Sequence, residues 1–302
     1  MCTFNGANYL AAQLDSIVHQ TIQPFEIVII DDGSTDDTLS IVQEFKEKYS
    51  DIKSFVNENN LGVIRNFSLA ISKTCGEYVA LADQDDIWAS DHLEKLLSGI
   101  RGNAICVGDC AMIDEDGKET GDLYSALKRD YYIPEGSVAK AYRIIYNTNP
   151  YQGASMLIDR DWVESFLPIP DGVGYHDTYL ASCASLTKGL SVIPDIITKY
   201  RIHVGQASTP WQMSVFEEIK RRHHFICYPG KRVIIDHLLR TIPSFNSEAA
   251  DFMNEFKQIL LLDSQGKRFE TLRILNRHYR EIFSCTSRRF FFLRSLHFLV
   301  SF

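Results

Sequence analysis

The chain has 302 residues, 45% hydrophobic and 23% charged, which excludes wholesale disorder and low-complexity or collagen-like architectures. Its net charge of −8 excludes a general nucleic-acid binder. The seven cysteines lack CxxC spacing, so they describe neither a disulfide framework nor a zinc site and point to a reducing compartment.

Residues 7–20 carry Leu10, Leu14, Ile17 and Val18 at helical spacing. Glu26 to Ile30 is a short apolar, β-branched run of the kind found in buried parallel strands, and it stops at Asp31-Asp32-Gly33. Ser34 reads as the N-cap of a helix with Asp36 and Asp37 in its first turn and Leu39, Val42, Phe45 and Tyr49 on its buried face. A weak strand at 52–56, a turn at 59–62 and a helix marked by Ile64, Phe67 and Ile71 follow. The strand 77–82 ends in Asp83-Gln84-Asp85-Asp86, and 90–100 is helical. This alternation predicts an α/β fold with a mostly parallel sheet covered by helices.

Residues 104–108 and 154–158 read as further strands, with a Tyr-rich irregular stretch near 121–150 between them. A helix at 177–188 and strands at 190–193 and 196–202 complete this part. Beyond a turn-rich break at 205–210 only helical periodicity remains, interrupted at Pro229-Gly230 and Ile242-Pro243. The expected organisation is a catalytic unit over 1–205 and an α-helical C-terminal region over 206–302. No apolar run reaches the length of a membrane span, and the first residues read as the end of a strand rather than as a leader.

Ligands of open parallel sheets bind beyond the carboxyl ends of strands, where both acidic clusters fall. Crowded carboxylates repel unless solvated or paired with a cation, and carboxylate oxygens suit Mg2+ or Mn2+ holding a diphosphate. The residues alone leave a second reading open, in which each cluster is an exposed turn that caps the next helix.

Thr3-Phe4-Asn5-Gly6, Tyr9-Leu10, Gln13 to Ile17, Ile29 to Asp36, Asn60-Leu61-Gly62, Arg65-Asn66 and Ala82 to Trp88 occur in this order. The ordered set resembles family 2 glycosyltransferases with the GT-A fold, a Rossmann-like nucleotide-diphospho-sugar transferase architecture. The likeness extends to the bacterial rhamnosyltransferase-like subgroup of surface polysaccharide synthesis, and covers about residues 1–205. The resemblance implies that Thr3 and Asn5, with Asp31 or Asp32, hold the nucleotide base and ribose, and that Asn60 and Arg65 belong to the substrate-binding set. Asp83 and Asp85 match the ends of the family's DxD, with Asp85 the metal ligand, and Asp86 falls nearer the donor sugar or its supporting shell. Gly153 to Met156 resembles the strand lining the acceptor side. Gly174-Tyr175-His176-Asp177 is similar to the (E/H)D motif whose Asp is the catalytic base, with His176 beside the substrate. Tyr200-Arg201-Ile202-His203 resembles YRxH, in which the His reaches the metal or diphosphate and the Arg supports the phosphates.

The implied activity is inverting transfer from a dTDP- or UDP-linked sugar to a glycan or lipid-linked glycan, with Mg2+ or Mn2+ as cofactor. Capping by Asp177, an orienting or packing role for His176 and a plain turn histidine at 203 are the competing readings, and Trp88 reads as a core anchor rather than a stacking platform. Cys75, Cys106, Cys110 and Cys183 read as inert core thiols. Two other functions are weighed. A sugar-phosphate nucleotidyltransferase would want a Gly-rich phosphate loop with basic residues, which Asn5-Gly6 lacks. A non-catalytic truncated homologue finds support in the short N-terminus, because the family's first strand would lie largely upstream of Met1.

Residues 266–302 carry a balance of +6 against −14 for everything before them. Basic, aromatic and helical together, they suggest an interfacial helix on anionic lipid, placing the protein in the cytoplasm on the inner face of the membrane. The alternative is a helix that packs on the body and turns its arginines to water.

Overall fold

A computed structural model of the chain describes residues 1–123, 134–146, 149–206 and 229–282. The N-terminal part is a three-stranded parallel sheet of β1 (Cys2–Thr3), β2 (Ile27–Asp31) and β3 (Ile52–Val56), in that order. Cys2 faces Ile30 and Ile27 faces Ile52 across the ladders. Every residue of β2 is buried, as its unbroken apolar run requires. The helix α1 (Ala7–Val18) lays Leu10, Leu14, Ile17 and Val18 against Ile27, Ile29, Ile52 and Trp88.

α2 spans Thr38–Lys48 with Asp37 at its N-cap, three residues later than the Ser34 cap predicted from sequence. The Ser34 hydroxyl is engaged elsewhere: it donates to Asp31 Oδ2 and accepts the Asn5 N–H. Leu39 is exposed, and Val42 is the fully buried apolar residue of this helix. α3 (Val63–Lys73) follows β3 and buries Phe67, Ala70 and Ile71.

The second sheet contains β4 (Tyr78–Ala80), β5 (Ile87–Trp88), β6 (Ile105–Ile113), β7 (Glu119–Leu123), β8 (Met156–Asp159) and β9 (Leu190–Arg201). Its order is β4-β8-β6-β9-β5, with β7 paired to the far end of β6. Only β6 and β9 run parallel; the other pairs are antiparallel. The parallel character expected of the whole sheet therefore belongs to the first three strands, and the second sheet is mixed. The two strands expected at 190–193 and 196–202 are one. Its register against β6 shifts between Val107 and Asp109, opposite the segment holding Pro194, which has no N–H to donate. An apolar cavity of about 260 Å³, lined by Met1, Val28, Phe67, Ile71, Val79 and Trp88 among others, lies between the first sheet and β4.

Inside the stretch read as irregular, α5 (Ser137–Tyr146) buries Tyr142, Ile144, Ile145 and Tyr146; residues 124–133 and 147–148 of that stretch lie outside the described residues. α4 (His92–Ile100), α6 (Arg160–Glu164) and α7 (His176–Leu186) complete this part. Trp88 is buried and stacks on His92 with ring centroids 3.9 Å apart, so it anchors the core. Cys106, Cys110 and Cys183 are buried as expected, but Cys75 is exposed at the loop after α3.

After residue 228 come α8 (Pro229–Thr241), α9 (Ser247–Ser264), α10 (Arg268–Arg277) and α11 (Tyr279–Ile282). Pro229 opens α8, a position where its missing N–H costs nothing. Asn246 caps α9 by accepting the Ala249 N–H at 2.8 Å. Ile234, Leu238, Phe252, Phe256 and Ile274 share one core with Tyr142, Tyr146, Tyr179 and Leu180. The buried Arg143 guanidinium donates to the Ile282 carbonyl at 2.7 Å. These helices are thus packed onto α5 and α7. Among the described residues, no helix is long and apolar enough to cross a membrane.

Candidate active site

β1 and β2 end side by side, and the chain beyond them is organised by two buried carboxylates. Asp31 Oδ1 accepts the Gly33 and Ser34 N–H groups, and Oδ2 accepts the Thr3 and Ser34 hydroxyls at 2.7 and 2.6 Å. Asp32 Oδ1 accepts from Asn57 Nδ2 at 2.7 Å and the Leu61 N–H at 2.8 Å, while Oδ2 accepts the Gly62 N–H at 2.8 Å. Asn60 Nδ2 donates to the Asp32 carbonyl. Burial without partners would be costly, and these donors offset it. Asp31 therefore shapes the 33–38 loop and Asp32 the 57–62 loop. Asn5, at a φ of 49°, accepts the Thr35 N–H and brings the two chain segments together.

The acidic cluster follows β4. The Gln84 side chain bridges the backbone of Phe4, accepting its N–H at 2.8 Å and donating to its carbonyl at 3.1 Å. This locks the cluster to the end of β1. Burial pushes the Asp83 carboxyl up to about 7, and the charges of Asp85 and Asp177 add to the rise. Two motifs 94 positions apart in the sequence thus lie close enough for their charges to interact. Asp85 Oδ2 lies 2.8 Å from His203 Nε2. Asp86 is fully buried, its Oδ1 accepting the Arg201 N–H at 3.0 Å while Oδ2 has no partner among the described residues. Burial, then the Asp85 and Asp83 charges, raise its pKa well above the ordinary value. Its place is beneath the cluster, as support for β9.

Asp177 sits in the first turn of α7, where its Oδ1 accepts the Thr178 N–H. The N-cap position itself is Tyr175, without a side-chain cap, and the charge of Asp177 reaches Asp83 of the acidic cluster. His176 is buried, stacked on Phe67 at 3.9 Å, and neither ring nitrogen has a hydrogen-bond partner among the described residues. Burial lowers its pKa, which keeps the ring neutral. Gly153 opens a 3-10 turn ahead of β8 where a strand had been expected. A Cβ there would stand 2.9 Å from His176 Nε2 and 3.6 Å from Asp177 Cβ. Gly153→Ala is accordingly expected to cost about 1–3 kcal/mol by overpacking. It should also slow turnover by up to about 100-fold through displacement of α7. Thermal melts and initial rates measure both; unchanged rates would dismiss the contact.

Two other expected site residues are engaged by the protein itself. Arg65 forms a bidentate ion pair with Asp171 at the surface. Together with Ser68, which accepts the Ile169 N–H, and Phe67 under His176, it ties α3 to the segment leading into α7. Gly230 at the start of α8 backs the same segment, since a Cβ there would meet the Val173 carbonyl at 2.6 Å. Arg201 is buried and donates to the backbone carbonyls of Asp85, Asp114 and Glu115. Its guanidinium lies 4.8 Å from the Tyr9 ring centroid, and Tyr9 in turn packs on His203 at 4.7 Å. Tyr9 was legible as part of a motif, but its position under both members of the Arg201–His203 pair was not. The same holds for the buried chain Cys110, Ser155, Thr198 and His92 behind Gly153, which has no sequence pattern.

The donor set fits a hard divalent cation. Among the described residues no three His, Cys, Asp or Glu side chains form a closed metal cage. Mg2+-type sites commonly use one or two protein ligands and fill the remainder with water and substrate phosphates. Asp85 supplies one such carboxylate and His203, 2.8 Å from it, an imidazole nitrogen, while Asp83 is raised by burial first and then by the charges of Asp85 and Asp177, which a cation would offset.

The sequence profile of glycosyl transferase family 2 matches residues 1–166. The chain belongs to this family. It is a nucleotide-sugar glycosyltransferase of GT-A type. An uncharacterized glycosyltransferase of Haemophilus influenzae is 27% identical over 78% of this chain and 75% of its own length. A cholesterol galactosyltransferase of Borreliella burgdorferi is 41% identical, but over only 32% of this chain and 26% of its own. A second Haemophilus protein is matched over 53% of its length, so the chain spans about half of some of its relatives. The fold is similar to that of S. aureus TarS 1-349 in complex with UDP-GlcNAc. The TM-score is 0.58 at 18% identity, covering 93% of this chain and 80% of that one. It is also similar to the mannosyltransferase PcManGT of Pyrobaculum calidifontis in complex with GDP-Man and Mn2+. There the TM-score is 0.52 at 17% identity, covering 95% and 86%.

Proposed function

We propose that this family member is an inverting, divalent-cation-dependent transferase acting on a hydroxyl of a glycan or lipid-linked glycan in bacterial surface polysaccharide synthesis. The donor is a dTDP- or UDP-linked sugar, rhamnose among the candidates. The catalytic unit is residues 1–205, with 206–302 as its helical companion, working at the cytoplasmic face of the membrane. The observation that carries the reading is the pairing of Asp85 at the end of β4 with His203 at 2.8 Å, beside the start of α7, where Asp177 lies close enough for its charge to act on Asp83.

In a single displacement, the Asp177 carboxylate accepts the proton of the acceptor hydroxyl as that oxygen attacks the anomeric carbon. The bond from that carbon to the diphosphate breaks and the electron pair leaves with the phosphate. A bound Mg2+ or Mn2+, held by Asp85 and His203, would neutralise the leaving diphosphate. Thr3, Asn5, Asp31, Asp32 and Asn60 build the loops that receive the nucleoside. Asp83 lies beside the diphosphate. Asp86, Arg65 and Arg201 act through other residues: Asp86 and Arg201 fix the backbone of β9 and of Asp85, and Arg65 fixes the approach to α7. Gly153 and the neutral His176 set the position of Asp177.

Donor hydrolysis and transfer across a panel of nucleotide sugars, with and without Mn2+, tests the reading. Asp85→Ala and His203→Ala are each expected to weaken Mn2+-dependent donor binding by at least about tenfold. Titration calorimetry checks this; variants that bind donor as tightly as the parent in Mn2+ would remove both residues from the metal site. Turnover of no donor in the panel would favour the non-catalytic reading instead.

A further inference from the structure

The basic C-terminal stretch divides into two faces on α10 and α11. Thr271, Ile274, Leu275 and Ile282 are buried in the shared core. The apolar side that an interfacial helix would press into lipid is therefore already covered by the protein. The opposite side is exposed and carries Phe269, Arg273 and Arg277 at four-residue spacing on α10, with the exposed Glu270 among them and Lys267 just ahead of the helix, while Arg280 is exposed on α11. Residues at such spacing lie along one face. Phe269 is 74% exposed, and Leu261, on the last turns of α9, is 57% exposed. A short turn at Gln265 to Lys267 joins the two helices, with the Lys267 N–H donating to the Leu262 carbonyl, so both apolar side chains belong to one corner of the molecule.

We infer that this corner and its arginine face form a docking surface for an anionic lipid bilayer. The charge selects the partner. An exposed Phe and Leu beside a row of cations match the boundary between anionic headgroups and acyl chains, where aromatic side chains sit below and cations above. The body of the chain, at −14, would be repelled by the same surface, so contact is confined to this corner and the molecule is oriented by it. The contact is made by side chains standing off a helix whose apolar stripe is buried, and it needs no insertion of that stripe. It is independent of the chemistry proposed at Asp177.

The test is flotation of the full chain with vesicles of phosphatidylcholine alone, or of phosphatidylcholine and phosphatidylglycerol in equal parts. Co-flotation with the anionic vesicles only, lost at high salt, is expected. Each cation near such a surface strengthens binding about fivefold, so the triple variant Arg273→Gln, Arg277→Gln, Arg280→Gln should weaken partitioning on the order of 100-fold. Phe269→Ser should weaken it about tenfold. Both variants should keep the parent's melting temperature and donor hydrolysis. Undiminished flotation of the triple variant, equal binding to neutral vesicles, or no flotation of the parent would each overturn the proposal. Asp177→Asn should float like the parent, which separates this surface from the catalytic reading.

Discussion

Asp177→Asn is expected to abolish transfer, lowering kcat by about 10² to 10⁴, the usual contribution of a positioned general base. An amide cannot accept the acceptor's proton at neutral pH. The amide oxygen can still accept the Thr178 N–H, so the first turn of α7 survives. Donor affinity in Mn2+ and the melting temperature should therefore stay at parental values. This separation between kcat and donor binding distinguishes a base from a residue that merely caps the helix, for which Asn is a good substitute. Single-turnover rates and calorimetric donor binding measure the two sides. Near-parental turnover would return Asp177 to a capping role and leave the acceptor proton without a partner on α7.

Without a divalent cation, the protein should lose stability as the pH rises from about 4 to about 7. The cause is Asp83, whose carboxyl stands at about 7 in the fold against an ordinary 3.8. Between these values the folded protein holds a proton that the unfolded chain has released, so each step up in pH favours unfolding. Above about 7 the full cost of the ionised, half-buried carboxylate beside Asp85 and Asp177 is present, on the order of a few kcal/mol. Asp83→Asn removes that cost. The cation-free variant should melt several °C above the parent at pH 8, with the gap closing toward pH 4. Added Mn2+ should raise the parent more than the variant, because only the parent has this repulsion to relieve. Parallel melting curves for the two proteins across the range would show that Asp83 ionises freely and that no cation is required to hold the cluster.

This places a trade of stability for binding within one short segment. The end of β4 gathers carboxylates that repel one another, and Gln84 fastens that segment to Phe4 so that it does not spread apart. His203 and Arg201 approach from β9, the first pairing with the Asp85 carboxylate and the second with its carbonyl. The C-terminal helices serve the same end indirectly, since α8 abuts the Gly172-Val173 backbone that leads into the Asp177 helix.

The amino-acid sequence by itself determined the elements whose signal is local. The apolar run of β2, the periodicities of α1 and α3, the ordered acidic motifs and the family they resemble were all legible. Each rests on neighbours within a turn or a strand. Only the tertiary structure decided which groups remain available to a substrate. Asp31 and Asp32 look alike in sequence, yet each is engaged by a different loop, because residues 28 to 30 positions away supply the donors. Arg201 looks like a phosphate ligand, and three carbonyls and the Tyr9 face also engage its Nε, Nη1 and guanidinium plane, since β9 enters beside β6 and carries it under the acidic cluster. Ser34 looks like a helix cap until the side chains of Asp31 and Asn5 claim its neighbourhood. The basic tail reads as amphipathic either way; burial of Ile274 and Leu275 against α5 and its neighbours decides that, over 268–282, the arginines face outward. The part of that expectation that falls on residues 283–302 lies outside the described residues. Hydrogen-bond donors and apolar partners distant in sequence make these choices, and a linear pattern carries no record of which distant group arrives first.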